Sequence, residues 1–137
     1  MAWLLDLTRL VSRLGRGPLT GIDRVEFAYL THFLGLETPL YGLVRSRAGF
    51  VLMDRSGCAG LAARVRGELA LGPSDLIGRL THRRNPMRAR AEADMRRLAI
   101  ARVARPFLRW MLRDLAPACY LNVGHANLTE RVLRSVH

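Results

Sequence analysis

The sequence contains no lysine, although 22 of its 137 residues are basic. All of the basic residues are arginine, and only 11 residues are acidic, so the formal net charge is +11. Arginine in place of lysine is typical of a GC-rich genome and does not by itself indicate a function. The shortage of negative charge, however, favours acidic partners such as nucleic acid, anionic lipid headgroups or phosphorylated substrates.

Cysteine and long apolar runs are also scarce. Cys58 and Cys119 lie far apart and have neither CxxC nor histidine-rich spacing, so the sequence predicts no zinc site and no disulfide framework. No run of about 18 apolar residues is present that could span a membrane. Asp6 and Arg9 interrupt the first apolar run, so we do not expect it to act as a secretory signal. We therefore expect a cytoplasmic chain.

Several patterns that mark catalytic or nucleic-acid-binding sites are missing. Gly15, Gly17 and Gly21 have the wrong final gap for the GxGxxG dinucleotide fingerprint. No Ser-His-Asp spacing and no paired carboxylates flanking a pocket can be identified, so no residue is assigned a catalytic role. A helix-turn-helix, an RNP-like motif and a zinc knuckle are absent too, which leaves charge as the only support for nucleic acid as a partner. The sequence predicts no metal and no cofactor.

The remaining pattern alternates short apolar runs with helical periodicity. Strands are expected at residues 2–11, 39–45, 49–54 and 117–125, although a short helix also fits the first run. The stretch "SRAG" predicts a turn that joins the second and third strands as a hairpin. Helices are expected from Thr20 to Gly35, over 56–71, over 89–115, and after Asn127 or Thr129. This alternation predicts an α/β fold, a partial Rossmann-like three-layer sandwich with a mostly parallel sheet. We expect residues 1–137 to be incomplete at the C-terminus, because no strand follows the last predicted crossover.

The helix after the glycine-rich loop has the clearest signals. Thr20 is a suitable N-cap, and Asp23 lies in the first turn, where negative charge suits the helix dipole. The 3.6-residue period predicts that one face packs inward. That face consists of Ile22, Val25, Ala28, Tyr29 and Phe33.

Two basic stretches lie in the second half of the chain. Residues 72–88 have little hydrophobic periodicity, and we expect a mobile basic loop there. Residues 89–115 are expected to form a long helix that kinks at Pro106. This helix would carry a basic stripe of Arg102, Arg105, Arg109 and Arg113. Such a stripe is compatible with a solvated helix face, with contact to an anionic membrane surface, or with contact to nucleic-acid phosphates.

Two strand ends are candidate binding sites, because ligands of open parallel sheets bind at the carboxyl ends of strands. At the first, "GPLTGIDR", Gly21 would let a phosphate approach backbone N–H groups at the helix start, although an ordinary glycine loop has the same pattern. At the second, His125 follows Gly124. A histidine at this position either has a structural role or acts as a base or a substrate contact.

The stretches "LLDLTRLVSR", "TGIDRVEFAYL" and "YLNVGHANL" resemble the N-terminal end of bacterial glycosyltransferases related to the large retaining family four, which have two Rossmann lobes. The resemblance covers residues 4–30 and 120–128. It implies an acceptor-side lobe that helps transfer a sugar from a nucleotide-sugar donor to a glycan or lipid-linked acceptor. The donor-binding Glu-x7-Glu motif of the family is absent, so we expect this short chain to be inactive alone.

The resemblance also implies where substrates bind. In this family the glycine turn after the first strand faces the cleft and can contact the donor diphosphate. The residues that carry over are Thr20, Gly21, Asp23 and Arg24, with Asn122, Gly124 and His125 at the second strand end. A lipid-linked acceptor would put the protein at the inner face of the membrane. The alternative function is a small basic module that binds nucleic acid or an anionic membrane surface.

Overall fold

The computed structural model describes residues 1–115, 117–124, 130 and 133–134. These residues form an α/β fold around one five-stranded sheet. The strands are β1 (Ala2–Asp6), β2 (Leu40–Ser46), β3 (Gly49–Met53), β4 (Ala101–Val103) and β5 (Ala118–Leu121). The helices are α1 (Thr8–Arg13), α2 (Gly21–Leu34), α3 (Arg55–Val65), α4 (Leu76–Thr81), α5 (Pro86–Leu98) and α6 (Leu108–Leu112).

The sheet is mixed, with the strand order β4-β3-β2-β1-β5. β1 runs parallel to both β2 and β5, whereas β3 pairs antiparallel with β2 and with β4. The α/β class is confirmed, but the prediction of a mostly parallel sheet is wrong. The tight turn between Ser46 and Gly49 explains the difference, because so short a connection can only join antiparallel strands. This pairing also departs from the all-parallel order of a Rossmann-like sheet.

Helices pack on both faces of the sheet. Successive residues of a strand point to opposite faces, and accordingly Leu5 and Leu4 of β1 belong to different core clusters. The larger cluster joins β1, β2 and β3 to α1, α2, α3 and α5. The smaller cluster places Leu108 and Met111 of α6 against the opposite face. β1 is therefore covered on both sides, which its apolar sequence requires.

The bounds of α2 agree with the sequence, but its orientation does not. Thr20 is the N-cap and forms a capping box with Asp23, and Gly35 follows the last helical residue. Of the five residues predicted to face inward, only Phe33 is buried; Ile22, Val25, Ala28 and Tyr29 are exposed. The buried positions are Asp23, Glu26, Leu30 and Phe33. In this orientation Leu30 and Phe33 pack into the larger cluster, and the buried Asp23 carboxylate pairs with partly exposed arginines of α1.

The long helix predicted over 89–115 is wrong. α5 ends at Leu98, and β4 forms the edge of the sheet three residues later. The Ile100 N–H donates to the Leu52 carbonyl at 2.9 Å, and Ala101–Val103 pairs with Phe50–Leu52. Hydrogen bonds to the otherwise unpaired edge of β3 replace those of a continuous helix. The basic stripe is therefore divided between β4, α6 and two flanking 3₁₀ turns.

The stretch 72–88, predicted as a loop, contains α4 and the start of α5. Asp75 caps α4 by accepting the Gly78 N–H at 2.7 Å, and Arg96 of α5 donates to Asp75 at 2.6 Å. These polar contacts, one of them to the distant Arg96, stabilise α4, although its segment has little apolar periodicity. The helix predicted over 56–71 ends at Val65 instead, and Gly67 follows with a φ of +78°.

The predicted strand over 2–11 is confirmed only as far as Asp6, since α1 begins at Thr8. The predicted helix after Asn127 lies largely outside the described residues. Among the residues that the structure describes, no helix is both long enough and apolar enough to cross a bilayer.

Candidate functional site

The carboxyl ends of β1 and β5 define the site by topology. The chain leaves β1, passes through α1 and α2, and returns as β2 on one side of β1, whereas β5 lies on the other side. The strand order thus reverses between β1 and β5. Open α/β sheets bind ligands in the crevice that forms at such a reversal, outside the carboxyl ends of the strands.

Asp6, the last residue of β1, is the centre of a hydrogen-bond network in this crevice. Its carboxylate accepts the Tyr120 hydroxyl at 2.8 Å, the Asn122 amide at 3.4 Å and the Thr8 backbone N–H at 3.0 Å. The Asn122 amide also lies 3.0 Å from the Tyr120 hydroxyl. Burial raises the pKa of Tyr120, and the charge of Asp6 and the hydrogen bond to it act in the same direction. Tyr120 is consequently a stable donor to Asp6.

Asp23, in the first turn of α2, joins the helix to α1. Its carboxylate is fully buried and lies 2.7 Å from Arg9 Nε and 3.1 Å from Arg13 Nε. Burial alone would raise the pKa of Asp23, but the hydrogen bonds from Arg9 and from the Thr20 backbone outweigh it, and the pKa is lowered. Asp23 therefore remains ionised and anchors both arginines beside the crevice.

Glu26, one turn further along α2, differs from Asp23. Its side chain is only 3% exposed, and its Oε2 has no hydrogen-bond partner among the described residues. Burial raises the pKa of Glu26 to about 8, and the negative charge of Asp6 adds to the effect, although Arg9 opposes it. At neutral pH this carboxyl group therefore holds a proton, and the nearby Asp6 carboxyl group contributes to that. Such a pair is a typical arrangement for acid–base or hydroxyl-binding chemistry.

Gly124 lies on the β5 side of the crevice, beside Arg9 and Glu26. A Cβ atom at this position would lie 3.0 Å from Cδ of Arg9 and 3.4 Å from Oε2 of Glu26. A larger residue would therefore displace the Arg9 side chain that pairs with Asp23. We refer below to Asp6, Glu26, Tyr120 and Asn122 as the acidic crevice.

The structure brings together only some of the residues predicted from sequence. Asn122 belongs to the acidic crevice, Gly124 borders it, and Asp23 is linked to it through Arg9. His125 lies outside the described residues.

Thr20, Gly21 and Arg24 lie at the exposed N-terminus of α2 instead. Gly21 has a φ of +40° with open space in front of it, and Arg24 donates to the Leu19 carbonyl at 2.9 Å. The capping box of Thr20 and Asp23 already occupies donors of this helix end. The turn is therefore exposed, and its connection to the crevice is indirect: Thr20 bonds to Asp23, which pairs with Arg9.

Sequence reasoning did not select Asp6, Arg9, Glu26 and Tyr120 as site residues. Asp6 and Arg9 belong to the "D-x-T-R" pattern at the end of β1, so a signal for them was present. Glu26 is three residues after Asp23 and shares its helix face. The sequence does not indicate this shared face, because the neighbouring apolar residues predict a different buried face.

The predicted anion-contact residues Arg102, Arg105, Arg109 and Arg113 are all exposed, although they do not share one helix. Phe107 and Trp110 lie among them and are 59% and 60% exposed. Together with Val103 and Ala104 these aromatic residues line an open apolar cavity of about 550 Å³. The Arg113 guanidinium lies 5.7 Å from the centre of the Trp110 ring. We call these four arginines and two aromatic residues the aromatic–basic surface.

No group of three or more potential metal ligands occurs among the described residues. Comparisons with protein-family models, with curated proteins and with solved structures find no match for this chain. The function proposed below therefore rests on the geometry of the site and on the resemblance of its motifs.

Proposed function

We propose that the chain is the acceptor-side lobe, partly Rossmann-like, of a glycosyltransferase that moves a sugar from a nucleotide sugar to a glycan or lipid-linked acceptor. The observation that carries this proposal is that the three stretches with family resemblance meet at one point. Asp6 of the first stretch accepts a hydrogen bond from Tyr120 of the third. Arg9 of the first stretch pairs with Asp23 of the second. The meeting point is the strand-order reversal, where open α/β sheets bind their ligands.

In this function the acidic crevice binds acceptor hydroxyl groups. A protonated carboxyl group donates one hydrogen bond and keeps acceptor capacity, which suits a hydroxyl that must both give and receive. Glu26 has this protonation state at neutral pH, and its Oε2 is unoccupied by any described residue. Asn122 supplies an amide that donates to Asp6. The open turn at Gly21 and the exposed Arg24 face the phosphates of the donor.

The experiment uses the full-length gene product that contains this chain. Transfer is measured as release of the nucleoside diphosphate from a panel of nucleotide sugars, with and without glycan or polyprenyl-linked acceptors. We expect Glu26→Leu, which removes both the hydrogen-bond donor and the acceptor of this carboxyl group, to lower kcat/KM about tenfold, the effect of losing one hydrogen bond to the acceptor. Glu37→Leu is the matched control, because Glu37 is exposed. Absence of transfer from every donor, or equal rates in both variants, would refute the proposal.

The donor-facing turn needs a separate variant. Gly21 has a positive φ, so valine there would strain the backbone and lower stability together with activity. Arg24→Gln avoids this problem, because Arg24 is exposed and its side chain donates to the Leu19 carbonyl, a contact that the fold does not require. We expect this variant to raise KM for the nucleotide sugar and to leave KM for the acceptor unchanged.

The aromatic–basic surface supports a second candidate function, binding of an anionic membrane surface. Exposed Phe107 and Trp110 surrounded by arginines have the composition of interfacial anchors, in which aromatic rings enter the headgroup region and basic residues attract anionic lipid. Arg102 lines the same apolar cavity as Phe107 and Trp110, so basic and aromatic groups lie side by side there.

Co-sedimentation with vesicles tests this second function. Binding to anionic vesicles should exceed binding to neutral ones and should weaken with salt. Replacing both Phe107 and Trp110 by alanine should weaken it at least about tenfold, since each buries a large apolar area. Replacing the exposed Leu69 and Leu76 by alanine is the control. Equal binding by the two double variants would show that this surface does not anchor the chain.

A further inference from the structure

A second cleft, separate from the acidic crevice, is lined by arginines. It has a volume of about 570 Å³, and its walls include Arg16, Arg47, Arg83, Arg84 and Arg88. None of its lining residues is acidic. An adjoining open cavity shares Arg47 with it and adds Arg105. We call the space between these residues the basic cleft.

Most arginines in the described part of the chain bond to carboxylates or carbonyls, but fewer of those that line the basic cleft do. Arg16, Arg83 and Arg84 are exposed, and their guanidinium groups make no hydrogen bond or ion pair with any residue that the structure describes. Arg47 uses one nitrogen to donate to the Thr81 carbonyl at 2.6 Å. Unneutralised positive charges that converge on one cleft repel one another, and a bound anion would remove that repulsion.

A buried carboxylate pairs with two residues that line the basic cleft. Glu92 of α5 is 1% exposed, and it accepts Arg88 Nε at 2.9 Å and lies 2.9 Å from His82 Nε2. These contacts fix Arg88 and His82 in the wall of the cleft. One carboxylate beneath several arginines leaves the cleft with a large excess of positive charge.

The first turn of α5 also lines the basic cleft. Asn85 caps this helix by accepting the Arg88 N–H at 3.1 Å, and Pro86 occupies the first helical position. The N-terminus of a 13-residue helix adds its partial positive charge to that of the side chains. Arg47 follows the carboxyl end of β2, so the basic cleft lies at the sheet edge where ligands of α/β folds bind.

We propose that the basic cleft binds the diphosphate group of a small ligand. Arginine presents a planar fork of donors that matches phosphate oxygens bidentately, and several unpaired arginines exceed what a single phosphate needs. The volume falls within the range of about 300–1,000 Å³ that is usual for small-molecule sites. The lining contains no Phe, Tyr or Trp on which bases could stack, which disfavours a single-stranded nucleic acid. This inference does not depend on glycosyl transfer.

The test is a calorimetric titration of the full chain with inorganic pyrophosphate, with phosphate and sulfate as comparison anions. We expect pyrophosphate to bind most tightly of the three. Replacing Arg83 and Arg84 by glutamine should weaken its binding at least about tenfold, because each arginine makes charge-assisted hydrogen bonds. The control replaces Arg66 and Arg134 by glutamine; both are exposed, neither lines the cleft, and the net charge changes equally. The control should bind within about twofold of the parent.

A second arm identifies the source of the diphosphate. Vesicles doped with a polyprenyl diphosphate are compared with undoped vesicles of equal surface charge. Preferential binding to doped vesicles that is lost in the Arg83/Arg84 variant assigns a lipid-linked diphosphate, whereas binding of soluble pyrophosphate alone assigns a soluble one. The two substituted residues are exposed and unpaired, so the fold should be retained, and circular dichroism checks this. If the variant is unfolded, Arg16→Gln replaces it. Equal weakening in variant and control, or no pyrophosphate binding by the parent chain, would overturn the proposal.

Discussion

Asp23 and Glu26 lie one turn apart on the buried face of α2, and their surroundings move their pKa values in opposite directions. For both groups burial raises the pKa. Around Asp23 the hydrogen bonds from Arg9 and Thr20 outweigh burial, so its pKa is lowered. Around Glu26 the negative charge of Asp6 adds to burial, so its pKa rises to about 8. One helix face thus carries an ionised anchor and a protonated acid.

Glu26 should make the stability of the chain depend on pH. Its folded pKa is raised from 4.5 to about 8, so its contribution is fully present below pH 4.5 and is lost as the pH rises through 8. The full loss is on the order of 5 kcal/mol for a shift of this size. Glu26→Gln has no proton to lose, so the parent should lose stability relative to this variant between pH 5 and pH 9. Urea unfolding at both pH values measures the difference, and a pH-independent difference would contradict the raised pKa.

Asp23→Asn should destabilise the chain at neutral pH. The substitution keeps the shape and a hydrogen-bond acceptor but leaves Arg9 and Arg13 without their counter-charge. Because these arginines are 39% and 30% exposed, we expect about 2–3 kcal/mol, below the value for a wholly buried pair.

The lowered pKa of Asp23 also gives the effect a pH window. Its stabilisation is present above pH 3.8 and is lost as the pH falls through the lower folded pKa. The deficit of Asp23→Asn should therefore shrink in acid. Glu68→Gln, which removes an exposed ion pair with Arg66, should cost under about 1 kcal/mol. Equal costs for the two variants would contradict the buried anchor.

The orientation of α2 can be tested with two apolar residues. Leu30 is fully buried and Val25 is 46% exposed. Leu30→Ala should lower the free energy of unfolding by about 2–5 kcal/mol, because it creates a cavity in the core. Val25→Ala should change it by no more than about 0.5 kcal/mol. The reverse order in chemical denaturation would indicate that the periodic apolar face packs inward after all.

Gly49 should be needed for the pairing of β3 with β4. It has a φ of +134°, and a Cβ there would lie 2.2 Å from the Val103 carbonyl oxygen. Gly49→Ala should therefore strain the turn and separate the edge strand, at a cost above about 1 kcal/mol. Hydrogen exchange should then be faster for the Ile100 amide, which bonds to Leu52. Ala48→Gly, one residue earlier and exposed, is the control and should leave that exchange rate unchanged.

The predictions that hold from sequence are those whose cause lies within a few residues. Thr20 and Gly35 bound α2 because capping groups act on the nearest turn of helix. The segment from Ser46 to Gly49 makes a hairpin because a two-residue connection leaves the chain no other path. Apolar runs likewise predicted β1, β2, β3 and β5 as strands, and the first three of these are mostly buried on both faces.

Other features depend on partners that are distant in sequence. The orientation of α2 depends on its contacts with distant segments: Asp23 pairs with α1 and Leu30 packs in the larger cluster, while Ile22 and Val25 stay exposed. β4 exists because the edge of β3 offers unpaired backbone groups to residues that would otherwise continue a helix.

In the acidic crevice, too, some features follow from local sequence and others from contacts between distant residues. The amino-acid sequence supplies Asp6 at the end of an apolar run and Tyr120 within another, and it marks both runs as strands. The two residues are 114 positions apart in the sequence, and no local signal indicates that the two runs become neighbours. Only the parallel pairing of β1 with β5 brings the Tyr120 hydroxyl to 2.8 Å from the Asp6 carboxylate. Backbone pairing between distant strands depends on where the whole chain lies, and so the tertiary structure alone determines which polar groups share the site.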